Sequence, residues 1–493
     1  MEKNRPTHLQ EILFGSADKA ESKRISDLVK NGIAKKIASR IYTTNLNDAP
    51  STIIRRNWFR ILAAQYPKSL LSHRSALECK PTLSGQIYVT HSYTKKISLP
   101  GLVVHFQQGH EPIDGDTPFF GELYLSQQAR AFLENFQPSR KTNGDSKTLS
   151  REQLEEKLES IIRTKGETSL NELRDRARQI APILEMKKEF EQLDKIISAL
   201  LSTKPSKFLS SNVAKARAIG EPFDPARIAL FEKLYETLAG REYPEFSNKN
   251  VSPKAYQSFA FFESYFSNYI EGTEFTVDEA KQIVTSQTPL PGRNEDSHDV
   301  LGTYTLVSNR KEMSICPETD DELLKILLYR HDILLSVRID KNPGQFKDKN
   351  NRAGNTEFVD WQLVTGTLKK GFEWYSLLRH PFARAAYIMF LVSEVHPFID
   401  GNGRIARVMM NAELSSKGFS KIIVPTVYRE DYMGALRKLT RQNDAETYIR
   451  MLSRVFEFSA TIDAEDIDQT ESYLISCDAF MEPKKGKLKF LGI

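Results

Sequence analysis

Apolar residues recur at helical spacing through most of this chain. Leu154, Leu158, Ile161 and Ile162 form one stripe and Leu184, Phe190, Leu193 and Ile197 another, so residues 151 to about 201 are predicted helical. Beyond Pro225 helical runs dominate to Ala460. Residues 382–395 are almost all apolar, which predicts a helix buried on every side. Pro397 disfavours helical geometry at the residue before it, so that helix should stop at His396. After a short polar loop, residues 405–414 read as an amphipathic helix ended by Lys417 and Gly418.

The first 140 residues read differently. Residues 22–44 predict a short helix, a turn at Gly32, and then a β-like alternation at Ile33, Ile37, Ile41 and Tyr42 carrying Lys35, Lys36 and Arg40, the outline of a winged helix. A second helical pattern, 53–66, sets Arg55, Arg56 and Arg60 beside Trp58, Phe59 and Leu62, and 86–90 and 102–106 read as strands. The polar run 141–150, with Lys141, Asn143, Gly144 and Asp145, is read as a linker, and Lys204, Pro205, Gly220, Pro222 and Pro225 mark a second break. The expectation is a mainly α chain: an α+β winged-helix-like domain over 1–140, a linker and helical connector over 141–209, an all-helical domain over 210–460 and a C-terminal tail over 461–493. No internal repeat is visible.

Composition sharpens this picture in two places. At 493 residues the chain exceeds what one core serves, and 40% hydrophobic with 27% charged residues is a globular composition. No apolar run reaches the roughly 18 to 20 residues of a membrane span and the start is too polar for a secretory signal, so the default expectation is a cytoplasmic protein without a membrane partner. Cys79, Cys316 and Cys477 are too scattered for a disulfide framework or a metal clip. The net charge of +5 is uneven: residues 1–100 hold 17 Lys and Arg against 7 Asp and Glu, a net of +10, leaving −5 for the rest.

The chemistry is concentrated between the two helices that meet at His396. Gly401 and Gly403 permit the close backbone approach and unusual dihedrals with which amide N–H groups converge on phosphate at a helix N-terminus. Arg404 and Arg407, three apart, share a helix face and offer forked donors. Asp400 is the one hard anionic ligand of the loop, suited to a Mg²⁺ already sitting on phosphates. His396 is the nearby base that works near neutral pH. Singly, each has a bland alternative in a turn, a structural histidine or a solvated arginine pair; the ordered combination is what carries weight.

The string His396-Pro-Phe-Ile-Asp400-Gly-Asn-Gly-Arg404-Ile-Ala-Arg407 resembles the HPFx[DE]GNGRxxR motif of the Fic family at every specified position. The resemblance implies an all-helical domain that moves AMP from ATP onto a Ser, Thr or Tyr hydroxyl of a target protein. In that reading His396 is the base, Asp400 holds Mg²⁺, Gly401, Asn402 and Gly403 form the anion hole, Arg404 and Arg407 grip the β- and γ-phosphates, and Phe398 is buried. Ser267-Asn-Tyr-Ile-Glu271-Gly272 is similar to the family's [ST]xxxE[GN] inhibitory helix, which implies that Glu271 pairs with Arg407 and blocks productive ATP; the same glutamate leaves room for removal of AMP. Residues 343–359 resemble the flap that aligns the target, with Lys347 where many relatives carry Arg. His331 and His380 are read as structural.

Residues 1–140 resemble, more loosely, winged-helix antitoxin-type regulators of abortive-infection and toxin-antitoxin systems, through Arg24-Ile-Ser-Asp-Leu-Val-Lys-Asn-Gly32, His73-Arg74-Ser75-Ala76-Leu77 and Leu99-Pro100-Gly101-Leu102. That implies DNA phosphates contacted by Lys19, Lys23, Arg24 and Lys30 from a helix and by Lys35, Lys36 and Arg40 from a wing. Transfer of another nucleotide or of phosphate, and a DNA-binding regulator with an idle enzymatic domain, are the alternatives; self-modification and a homodimer are left open.

Overall fold

A computed structural model describes residues 10–139, 145–201 and 209–490. Lys141, Asn143 and Gly144 of the run read as a linker, and Lys204 and Pro205 of the second break, lie outside the described residues. The chain forms two compact units, 1–219 and 220–493. No described helix is long and apolar enough to cross a membrane.

The first unit is mixed. Strands β1 (Ile12–Phe14), β2 (Lys35–Ala38) and β3 (Ile41–Thr43) form an antiparallel sheet in the order β1-β3-β2, with helix α1 (Lys19–Lys30) packed through Ile25 into a small core with Leu13 and Ala34. The helical pattern over 53–66 is split into α2 (Pro50–Arg56) and α3 (Trp58–Gln65), because Asn57 turns its side-chain amide onto Glu11 and the Ile53 carbonyl. A six-stranded sheet follows: β4 (Leu70–Leu71), β5 (Gln86–His91), β6 (Lys95–Leu99), β7 (Leu102–Gln108), β8 (Thr117–Phe120) and β9 (Leu123–Leu125), ordered β6-β7-β5-β4-β9-β8. Only β5 and β7 of these six are legible in the sequence, since β4, β8 and β9 are too short to show a period.

Helices α4 (His73–Glu78) and α5 (Gln128–Asn135) join this sheet to α6 (Arg151–Ile180), α7 (Lys187–Leu200) and α8 (Asn212–Ala218). Phe132 and Leu133 of α5 share one core with Leu154, Leu158, Leu193 and Ile197, so the helices expected to act as a connector are part of the first unit. Gly166, at φ +83, breaks α6 without ending it. Asp145 accepts hydrogen bonds from the Thr82 and Ser84 hydroxyls, and Arg74 donates to the Ser146 carbonyl, so the described part of the linker run is fastened down.

The second unit is helical: α9 (Pro225–Ala239), α10 (Pro253–Ile270), α11 (Val277–Ser286), α12 (Asn294–Val307), α13 (Asp320–Leu334), α14 (Val364–Leu377), α15 (Pro381–Val395), α16 (Asn402–Ser416), α17 (Arg429–Gln442), α18 (Ala445–Thr461) and α19 (Ile467–Ser476). A two-stranded hairpin, β10 (Arg352–Ala353) and β11 (Thr356–Glu357), interrupts it inside the segment read as a flap. Helix α15 is the centre, buried from Phe382 through Val395 almost without exception, as its unbroken apolar run requires. The expected C-terminal tail is built into the same body: Leu474, Cys477, Ala479 and Leu488 join its core, and the Phe480 ring stacks on Phe266 of α10 with centroids 5.0 Å apart.

Candidate functional site

Helix α15 ends where proline dictates. His396 takes the left-handed conformation, φ 53° and ψ 59°, and its N–H closes the last turn on the Val392 carbonyl. The chain then reverses through residues 397–401, and Gly401, at φ 76°, starts α16. At Gly401, whose positive φ already favours glycine, a Cβ would press on Leu334 and Leu335, and at Gly403 a Cβ would push against the Glu271 carboxylate, which would have to move.

The loop is held from within and below. Asn402 is 2% exposed, and its side chain is spent on the loop: Oδ1 accepts from the Phe398 N–H at 2.8 Å and Nδ2 donates to the Phe398 carbonyl at 2.9 Å. The Gly401 N–H donates to Asp400 Oδ1 at 2.6 Å. Of the three amides the family resemblance assigns to an anion hole, that of Gly401 is thus already engaged. The N–H groups of Asn402, Gly403 and Arg404 have no acceptor inside the helix, whose first bond runs from Ile405 to the Gly401 carbonyl, and they carry the positive end of the α16 dipole. Phe398 is fully buried, as expected.

His331, read as structural, braces the loop from below. It lies in the last turn of α13, fully buried, with its ring stacked on Phe398 at 3.8 Å. Its Nδ1 accepts from the Gly344 N–H, so Nε2 carries the hydrogen and donates it to the Asp400 carbonyl at 3.1 Å. Burial holds its pKa down at about 4. No sequence spacing could reveal this contact, which joins residues 69 apart. His380 caps α15, accepting from the Phe382 N–H, and is structural as read.

His396 is defined by two contacts. Its ring lies flat on Phe358, which follows the flap hairpin, with centroids 3.7 Å apart. Its Nδ1 is 3.2 Å from the Ser393 carbonyl, an acceptor only, so the neutral ring keeps its hydrogen on Nδ1 and leaves Nε2 with a lone pair. Burial, with Lys347 adding to it, brings its pKa down to about 4, against the opposing pull of the Ser393 carbonyl, Glu271 and Asp400. Lys347 is itself buried, which draws its pKa to about 8; its Nζ donates to Asn351, and its backbone N–H to the Pro397 carbonyl.

The two arginines have separate surroundings. Arg404 is 2% exposed and meets Asp299 of α12 at 2.6 Å, a residue no motif announced; Asp299 also faces Arg338 at 3.4 Å. Arg407 lies beside α10. Its Nε donates to Ser267 Oγ at 3.0 Å, Nη2 to the Ser267 carbonyl at 2.9 Å and to Glu271 Oε1 at 2.7 Å, and Nη1 reaches the Tyr432 hydroxyl at 3.4 Å. Glu271 caps α10 just before Gly272, at φ +95. Burial opposes its charge, but Arg407, Arg404 and His396 outweigh that and hold its carboxyl below the ordinary range. A cavity of about 530 Å³ joins these groups, lined by Glu271, Gly403, Arg407, His396, Phe358 and Thr356 and continuing along α17.

Residues 322–414, which span this loop and both helices around it, match the model of the Fic/DOC family. The chain carries a Fic domain. The match begins downstream of Ser267 and Glu271, so the segment similar to an inhibitory helix lies outside it. Protein adenylyltransferase Fic of Drosophila persimilis is 24% identical over 253 residues, 49% of this chain and 47% of the relative. The enzyme of the same name from Nematostella vectensis is 29% identical over 256 residues, 47% and 53% of the two chains. The chain therefore spans about half the length of the curated relatives it matches. Among solved structures, a Fic domain containing signaling protein from Bacteroides thetaiotaomicron aligns at 19% identity and a TM-score of 0.37 over 50% of this chain and 97% of its own. Fic-1 (aa134–508) from C. elegans aligns at 17% and 0.36 over 65% and 98%.

Proposed function

We propose that this chain is a protein adenylyltransferase, moving AMP from ATP to a hydroxyl of a target protein. The observation that carries the reading is the meeting, in one cavity, of an unprotonated histidine nitrogen, a glycine-opened helix N-terminus and a buried arginine fork. The names of the relatives similar in sequence support the same chemistry.

In this reading phosphate oxygens take hydrogen bonds from the amides of Asn402, Gly403 and Arg404. Arg404, fixed by Asp299, and Arg407 offset the triphosphate charge. The target oxygen forms a bond to the α-phosphorus, the bond to the bridging oxygen breaks, pyrophosphate leaves, and the hydroxyl proton passes to His396 Nε2. Asp400, its side chain 41% exposed, fits a Mg²⁺ that takes one protein carboxylate and completes its shell with phosphate and water. A magnesium ion bound there supplies charge neutralisation across the phosphates.

Glu271 is paired with Arg407, the fork that in this reading a γ-phosphate would take, which supports autoinhibition by Glu271 as part of the proposal. The same carboxylate, placed to hold a water, makes removal of AMP the natural second reaction. Incubating the chain and its Glu271→Gly variant with ATP labelled on the α-phosphate and Mg²⁺ tests the proposal. Label on protein, greater in the variant, is the expected result; none in either overturns it.

For the first unit we propose a weaker, charge-driven contact with DNA phosphates through α1, where Lys19, Lys23, Arg24 and Lys30 are all exposed. The wing contributes less than its composition suggests, because Lys35 donates to the Leu46 and Asp48 carbonyls and Arg40 to that of Gly15. Retention on DNA that falls steeply with salt is the expected behaviour; retention indifferent to salt, or none, removes it.

A further inference from the structure

Helix α10 carries Glu271 at its end, and its last turns are held from two sides. Glu263, Ser267 and Glu271 recur at i, i+4 and i+8 and share the face turned to α16, where they meet Asn411 and Arg407. Phe262, Tyr265, Phe266 and Tyr269, at i, i+3, i+4 and i+7, share the face turned away from it. The Phe480 ring covers that second face, its centroid 6.3, 5.6 and 5.0 Å from those of Phe262, Tyr265 and Phe266, and the nearby Glu482 carboxylate accepts from the Tyr269 hydroxyl. Residues 477–489 form a strap closed at its base: Lys489 donates its backbone N–H to the Cys477 carbonyl, and its Nζ lies 2.9 Å from Asp478. Cys477, Ala479 and Leu488 are buried in the core, so Phe480 and Glu482 ride on an anchored loop. Glu271 itself is lightly held. Beyond Arg407 its carboxylate has no hydrogen-bond partner among the described residues, and Gly272, at φ +95, turns the chain away at once. The place of the carboxylate is therefore the place of the turn before it.

We propose that the strap, through Phe480 and Glu482, holds Glu271 on Arg407, so that lifting it from α10 frees the arginine and activates transfer. The inference rests on the autoinhibition proposed above for Glu271. A helix end is where local opening begins, because its last carbonyls have no partner within the helix. In α10 only one of them is met from outside by a side chain, the Ile270 carbonyl by Arg429 Nε at 3.0 Å, among the described residues. Aromatic contact along the outer face and a hydrogen bond to a carboxylate at its tip suppress that opening. Without them the turn 267–271 opens more often. Arg407 stays on α16 when it does, and each open interval offers its fork to a γ-phosphate.

The alternative is that the strap merely adds to the core, and the need for Glu271 separates the two. Phe480→Leu, Tyr269→Phe and Glu482→Gln are made in the full chain and again in the chain carrying Glu271→Gly. The last two remove a single hydrogen bond at the surface, so they keep the test open if Phe480→Leu fails to fold. Labelling from ATP labelled on the α-phosphate is followed beside competition of unlabelled ATP and ADP against a fluorescent ATP analogue, since a freed Arg407 favours ATP over ADP. With Glu271 present, labelling and the ATP-over-ADP ratio should each rise by about two- to tenfold, and in Glu271→Gly neither should move. Values unmoved in every variant, while Glu271→Gly alone raises both, overturn the strap and leave autoinhibition standing. A change of equal size in both backgrounds also overturns it, because the effect then does not pass through Glu271. A ratio that rises only where Glu271 is present, with no label on any chain, refutes the transfer reading and leaves the strap standing.

Discussion

The Fic loop and the basic face of the first unit both hold clustered cations, yet they treat them in opposite ways. In the loop, Arg404 and Arg407 are almost wholly buried, and each is matched to a carboxylate from another helix, Asp299 or Glu271. In the first unit the cations are exposed on α1 or settled one by one on backbone carbonyls. A buried, paired cation is costly to assemble and costly to disturb, whereas an exposed one shifts little when changed. Function read from charge is therefore sharp in the first case and diffuse in the second.

The largest effect separating the two regions belongs to His396→Ala, which should lower labelling from ATP by about 10²- to 10⁴-fold with nucleotide affinity retained. Labelling within a few fold of the parent would remove the histidine from the chemistry. Next comes Asp299→Ala, which leaves Arg404 buried without its carboxylate; a loss of about 3–5 kcal/mol is expected in denaturant unfolding, and an unchanged midpoint would show that the loop does not need the pair. The other arginine responds in the opposite direction. The Glu271 side chain is about a third exposed and Arg407 keeps its bonds to Ser267 and Tyr432, so Glu271→Gly should cost less stability than Asp299→Ala and raise labelling by about 5- to 150-fold, the span of a coupling of about 1–3 kcal/mol.

A smaller effect follows from pH. The pKa values of His331 and His396 are held at about 4 and that of His73 at about 3, each chiefly by burial, below the ordinary value near 6.5. The unfolded chain takes up these protons first, so their contribution to stability is complete above about pH 6.5 and is lost progressively as pH falls toward 4. Urea midpoints should drop across that window, less steeply in His331→Gln; a flat profile contradicts the assignment. The smallest effect belongs to the exposed face: Lys23→Ala and Arg24→Ala should stay within about 0.5 kcal/mol of the parent and leave labelling unchanged, while weakening any salt-dependent DNA retention.

Much of the site is legible in one dimension because its parts are neighbours in the chain. The apolar run of α15, the stop at Pro397, the glycines at 401 and 403 and the arginine spacing all act within a few residues, where local sterics and helical periodicity govern. The pairing of Glu271 with Arg407 was also within reach, as both belong to recognisable strings. His331 and Asp299 were not, because a histidine under a loop and an aspartate behind an arginine have no spacing rule. Most of the six-stranded sheet was hidden for a related reason, since strands of two to five residues carry too few alternations to show a period.

The sequence alone determined a buried helix broken at a histidine, a glycine-opened helix start with two arginines, and a basic first hundred residues. Only the tertiary structure decided that the connector helices belong to the first unit, that the tail packs on α10, and which carboxylate faces each arginine. Local geometry is set by sterics between adjacent residues, which a linear pattern records. Partners distant in the chain are chosen by packing and by the need of each buried charge for an opposite one, and that choice exists only once the helices have met.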